Sequence, residues 1–121
     1  MATGALVFTW HGARQDREGL GLDVFSKVLA YLDGLVQSGR ITDHSEYFSL
    51  SGEALGMLII RGDLQQLASL QAEEEHIGMQ LQAAHVSHDF KTQLFEGGSG
   101  SAVQESVKRY RGHLQHLGTL K

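Results

Sequence analysis

Residues 52 to 75 read GEALGMLIIRGDLQQLASLQAEEE, an apolar run that passes through Arg61-Gly62 into a segment opened by Asp63. From Ala54 to Arg61 both parities are apolar, with Leu55, Met57 and Ile59 on one side and Leu58 and Ile60 on the other. Strands that alternate cover one face only, so this pattern predicts a strand buried on both faces. Asp63 is a good N-cap, Gln66 stands three residues later, and Leu64, Leu67, Ala68 and Leu70 recur at helical spacing. A capped amphipathic helix is therefore expected directly after the strand.

Working outward, Ala5 to His11 (ALVFTWH) is rich in β-branched and aromatic residues and reads as the first strand. Residues 12 to 22 carry several glycines and mixed charge, so a long mobile connection or a loose extra turn is expected there. From Asp23 a helix is predicted on Val24, Phe25, Val28, Leu29, Leu32, Leu35 and Val36, ending at Gly39. Ile41 to Leu50 is polar enough for an edge strand. A long fourth strand is expected from about Met79 to Phe95, broken by EGGSGS. Ser101 and Gln104 then open a final helix to about residue 118, with Val103, Val107, Tyr110, Leu114 and Leu117 as its stripe.

The predicted order is β-α-β-β-α-β plus a C-terminal helix, which is the split βαβ, ferredoxin-like, α+β arrangement. One domain over residues 1–121 is expected, with its core at about 4–95 and the last helix at about 101–118. In a two-layer monomer one apolar face of the first and third strands would lie in water, a larger patch than monomers usually expose. A homodimer is the simplest remedy.

Composition narrows the function classes. The chain has 121 residues, 41% hydrophobic and 20% charged, which suits a folded domain. With no cysteine there is no disulfide framework and no thiolate chemistry. A net charge of −4 argues against nucleic acid, and the cluster Lys108, Arg109 and Arg111 is small enough for one solvated helix face. No basic leader with an apolar core and no membrane-length run is present, so a soluble, cytoplasmic protein is expected.

Helix 1 ending in Gly39-Arg40, the Ile-led second strand and GMLIIRGDLQQLASLQAEEE together resemble the dimeric α+β barrel superfamily. That group includes YciI-like proteins, stress-responsive barrel proteins and small cofactor-free monooxygenases. LIIRGDLQQLASLQAEEE with the later His88-Asp89-Phe90 is similar to uncharacterised bacterial members in particular. The resemblance covers most of residues 5 to 95 and rests on structural motifs. The YciI-like group's site uses a His on helix 1 and an Asp-Pro step after helix 2. Here the expected His position falls near Val28, no proline exists, and Glu75-His76 stands in place of Asp-Pro. The resemblance therefore implies the fold and a dimer, without that mechanism.

The chemistry-bearing candidates are mostly histidines. His11 ends a strand beside Trp10 and before the glycine-rich loop, where an acid or base with a near-neutral pKa would suit a pocket; a strand-end hydrogen bond is the plainer use. His44 and Glu46 share a parity about 7 Å apart on the second strand, as a cleft pair or as ordinary edge polarity. His85 and His88, three apart on a predicted strand, point to opposite faces and make a poor chelate. His113 and His116 share a helix face and suit its C-terminus. Glu73 to Glu75 at a predicted helix C-terminus oppose the dipole and call for Arg40 or basic residues of the other subunit, ahead of use as a metal-binding carboxylate cluster. GGSG at 97–100 lacks a P-loop's Lys-Ser/Thr and reads as a linker.

Three functions stay open on these residues. One is a homodimeric binder of a small organic ligand between sheet and helices, with Trp10, Tyr47, Glu46 and Arg61 as binding residues. Another is a cofactor-free oxygenase or isomerase in which His11, His44 or His85 moves a proton. The third is a structural dimerisation module. No metal, cofactor, nucleic acid or membrane is expected in any of them.

Overall fold

A computed structural model describes residues 2–118, so Met1 and residues 119–121 of the expected domain lie outside the described residues. The strands are β1 (Thr3–Trp10), β2 (Asp43–Phe48), β3 (Gly56–Asp63) and β4 (Lys91–Glu96); the helices are α1 (Glu18–Gln37), α2 (Leu64–Leu70), α3 (Glu74–Val86) and α4 (Gly100–His116). The strands form one antiparallel sheet in the order β2-β3-β1-β4. This is the α+β, ferredoxin-like fold that the pattern predicts.

Register decides what each face carries. Leu6 opposes Ile60, Phe8 opposes Leu58 and Trp10 opposes Gly56, which places these residues on one face. Leu6, Phe8, Leu58 and Ile60 are buried there against Val24, Val28, Leu32 and Leu35 of α1, Leu67 and Leu70 of α2, and Val86 of α3. The other parity holds Val7 opposite Ile59, Thr9 opposite Met57 and Ala5 opposite Arg61, all only half-buried. A central strand apolar on both sides is thus covered on one side within this chain.

Capping explains several boundaries. Asp63 accepts a hydrogen bond from the Gln66 backbone N–H at 3.0 Å, closing the first turn of α2. Gly39 takes φ +77 just beyond α1, and the Arg40 N–H reaches back to the Leu35 carbonyl at 2.9 Å, a turn that a β-carbon would strain. Arg40 then grips Glu73 through both guanidinium nitrogens, with Nη1 to Oε1 at 2.8 Å.

Four expectations need correction. Helix 1 begins at Glu18, five residues ahead of Asp23, because the Arg17 guanidinium donates to the His85 carbonyl at 2.6 Å and Gly21 packs closely beside Ala13 and Val86. The expected mobile connection thus shortens to the few residues before Arg17. Met79 to Val86 is helix, not strand: His76, Met79, Ala83 and Val86 mark one face at helical spacing, and Gln, Leu and Ala between them favour helix. Ser87 turns extended and Asp89 takes φ 50, leaving β4 only Lys91–Glu96. Ser99, not Ser101, caps α4, accepting from the Ala102 N–H at 3.4 Å. Glu73 consequently sits at the N-cap position of α3 with Glu74 and Glu75 in its first turn, where carboxylates favour the helix dipole.

Candidate functional site

Between the inner sheet face and the helices lies a cavity of about 180 Å³. β1 supplies Phe8 and Trp10, α1 supplies Phe25 and Val28, α3 supplies Met79 and Ala83, and β2 and the turn after α3 add Phe48 and Phe90. Trp10 can lie flat across the sheet because its partner is Gly56: a β-carbon there would come within 2.2 Å of the indole. Phe25 and Phe48 then pack on Trp10, with ring centroids 6.2 and 6.3 Å away, and on each other at 5.5 Å. On the far side Phe90 stacks on Phe8 at 5.8 Å, 21° from parallel. The rings touch one another, so they form walls of the cavity rather than a cage around a single point.

Polar groups are sparse. Glu18 and Ser87 bring the polar side chains, and the Ser87 hydroxyl already donates to the Ala83 carbonyl at 2.6 Å. Exposed Leu22 and Phe48 mark the mouth. An engineered apolar cavity of about 150 Å³ in another protein stays dry and takes up benzene, so this volume matches one aromatic ring.

Of the residues singled out from sequence, Trp10 lines this cavity. His11 is exposed just past β1, with Nδ1 3.6 Å from the Glu53 carboxylate, and its neighbour Gly12 contributes to the lining instead. His85 is exposed in the last turn of α3, and His88 lies in the following loop rather than on a strand with it. Arg61 and Tyr47 belong to the outer face; the Arg61 guanidinium donates to Asp43 at 3.0 Å and to Ser45 at 2.8 Å.

His44 and Glu46 do come together. The imidazole Nδ1 is 2.5 Å from Glu46 and Nε2 is 2.8 Å from Asp33 of α1, so the ring clamps the sheet edge to the helix. Burial opposes its charge, yet the hydrogen bonds to Glu46 and Asp33 outweigh burial and raise its pKa above the ordinary value. A carboxylate on each nitrogen favours its charged form, and it stands outside the cavity lining.

A second histidine, in the sequence pair Glu75-His76, lies in the interior. His76 is fully buried, with Nε2 2.9 Å from the Gln80 amide, Nδ1 3.4 Å from the Tyr31 hydroxyl and its ring 5.8 Å from Phe8. Burial holds its pKa below the ordinary value, and Tyr31 is pushed up to about 12 by burial and the nearby Glu75 and Glu73 carboxylates. Gln80, His76 and Tyr31 thus form a polar chain beside Phe8. Its signal in the sequence was the helical spacing of His76 with Met79 and Ala83, which the strand reading concealed. Phe25, Phe48 and Phe90 were likewise visible as aromatics but lay on three separate elements. Among the described residues no group of three His, Cys, Asp or Glu is arranged to hold a metal ion, and no helix is long and apolar enough to cross a membrane.

No protein-family model matches this chain, and no curated protein is recognisably similar to it in sequence. Solved structures are similar in shape. A dimeric protein of unknown function and ferredoxin-like fold from Bacteroides fragilis NCTC 9343 matches with a TM-score of 0.55 at 13% identity, over 77% of this chain and 95% of its own. A dimeric ferredoxin-like protein of unknown function from Jannaschia sp. CCS1 gives 0.56 at 11% identity, over 79% and 99%. SnoaB, a cofactor-independent oxygenase from Streptomyces nogalater, gives 0.54 at 17% identity, over 81% and 93%. Nearly the whole of each neighbour is used while about a fifth of this chain is left over. At these identities the likeness establishes the ferredoxin-like fold.

Proposed function

We propose that this protein is a homodimer that holds a small apolar or aromatic molecule in the cavity between its sheet and helices. The observation that carries the reading is the cavity itself, walled by Phe8, Trp10, Phe25, Phe48, Met79 and Phe90 with almost no polar side chain facing in. Apolar walls with few polar groups are the usual character of small-molecule sites, and the driving force for such a ligand is removal of its surface from water. The half-exposed outer face, with Val7, Met57 and Ile59 at its centre, supports dimerisation. The dimeric state of the Bacteroides and Jannaschia proteins supports it too.

The test uses fluorobenzene as a one-ring probe. Its ¹⁹F resonance is expected to shift saturably with this protein, and Ala83→Phe, which fills the cavity from α3, is expected to abolish the shift. Absence of saturable binding, or binding that survives the filled cavity, overturns the reading.

The similarity in shape to a cofactor-independent oxygenase supports an enzymatic second reading. In it one of His11, His44 or His85 moves a proton, whereas Tyr47 and Arg61, expected to bind the ligand, lie on the outer face and Glu46 is taken up by His44. Reaching a ligand in this cavity would require His11 to swing inward across Gly12, since His44 is clamped between carboxylates and His85 points to solvent. Turnover lost in His11→Ala with ligand affinity retained would favour the enzyme over the binder.

A further inference from the structure

Helix α4 is amphipathic, yet none of its residues is buried. Val103, Val107, Tyr110 and Leu117 are 45%, 52%, 66% and 72% exposed. The helix touches its own chain only lightly: Ser99 caps it, Ala102 lies beside Gly98, Arg109 pairs with Glu96 at the end of β4, and Leu114 of the stripe is half-buried. Val103, Val107 and Tyr110 are left facing solvent. Helices with such a stripe ordinarily turn it onto a core.

We infer that α4 is an arm whose apolar stripe docks on a second copy of this chain. The inference rests on the homodimer reading above and adds a second contact to it. Charge favours this occupant. All but one of the 14 Asp and Glu precede α4, together with six of the 10 Lys and Arg, so the body is strongly acidic. Within α4, Lys108, Arg109 and Arg111 face a single Glu105. A basic helix is drawn to the acidic body of another copy, whereas an anionic lipid surface would repel the body that carries it.

Continuity points the same way. Phe95 is on the outer face opposite Ala5 and is 46% exposed, and only Glu96 separates it from the Gly97-Gly98 linker that starts the arm. The outer apolar face and the stripe thus follow one another along the chain.

The experiment compares dimer dissociation on dilution, by light scattering and native mass spectrometry, for the full chain, a chain ending at Gly98, and Val107→Glu/Tyr110→Glu. Loss of the arm or burial of two new carboxylates is expected to weaken the dimer by about tenfold or more. Circular dichroism and thermal melting check that each variant keeps its core, which α4 does not fill. In a mixture of ¹⁴N- and ¹⁵N-labelled chains, a benzophenone at position 110 is expected to cross-link light to heavy copies. A dimer equally tight without the arm, or cross-links confined to single chains, overturns the arm alone. A full chain that is monomeric at micromolar concentration removes the homodimer and the arm together. Arm-dependent co-sedimentation with vesicles of phosphatidylcholine and about one third phosphatidylserine, without inter-copy cross-links, would assign the stripe to a membrane surface and overturn the proposal.

Discussion

The cavity depends on a glycine. Trp10 occupies the volume where any side chain at position 56 would project, and from there it supports Phe25 and Phe48. Gly56→Ala is expected to displace the indole and cost about 1 to 3 kcal/mol by overpacking. Because the chain has one tryptophan, the displacement is read directly from its fluorescence, and an unchanged spectrum with unchanged melting temperature would count against this packing. The two partnered histidines should titrate in opposite senses. His44 has a raised pKa in the folded protein, so its stabilisation is complete below the ordinary histidine value of about 6.5 and is lost as pH rises through the raised one. His76 has a lowered pKa, so its stabilisation is present above that ordinary value and is lost as pH falls through the folded one. His44→Gln should therefore cost more stability in mild acid than in mild alkali, and His76→Gln should blunt the wild-type loss in acid. Melting temperatures across pH for the two variants check the signs.

At the scale of elements, α3 is where sequence and structure part. The expectation of a long strand from Met79 followed its isolated apolar residues and missed the repeat His76, Met79, Ala83, Val86, whose first member is polar in name but buried in fact. The strand-to-helix junction at Asp63 was legible because capping chemistry is local: one carboxylate and one backbone N–H three residues on. The break between α2 and α3 carries no glycine or proline, and so gave no such signal. Gly78 supplies a check on the helix. It lies inside α3 with nothing near the position a β-carbon would take, so Gly78→Ala should stabilise the protein by about 0.5 to 1 kcal/mol. Denaturant unfolding measures this; destabilisation would argue that the segment is not helical there.

On the scale of the whole molecule, the ferredoxin-like order was readable because β1 and β3 are short runs rich in apolar, β-branched and aromatic residues, while α1 repeats its apolar positions at a period of 3.6. The cavity was not readable, because its rings come from β1, α1, β2 and the turn after α3, which only the folded chain brings together. Candidate histidines were picked by chemistry alone, and the fold places them at strand ends, helix ends and an ion-paired edge. Assembly is tested at the outer face: Ile59→Lys puts a charge at the centre of the apolar patch and should halve the mass seen by light scattering, from twice 13.3 kDa to a single chain. An unchanged mass would mean that this face is not the interface. The cavity itself is tested most directly by crystals held under xenon, since xenon enters dry apolar cavities of this size. One anomalous peak among Phe8, Val28, Met79 and Phe90 is expected; ordered water in that space, or no peak there, would contradict an apolar ligand site.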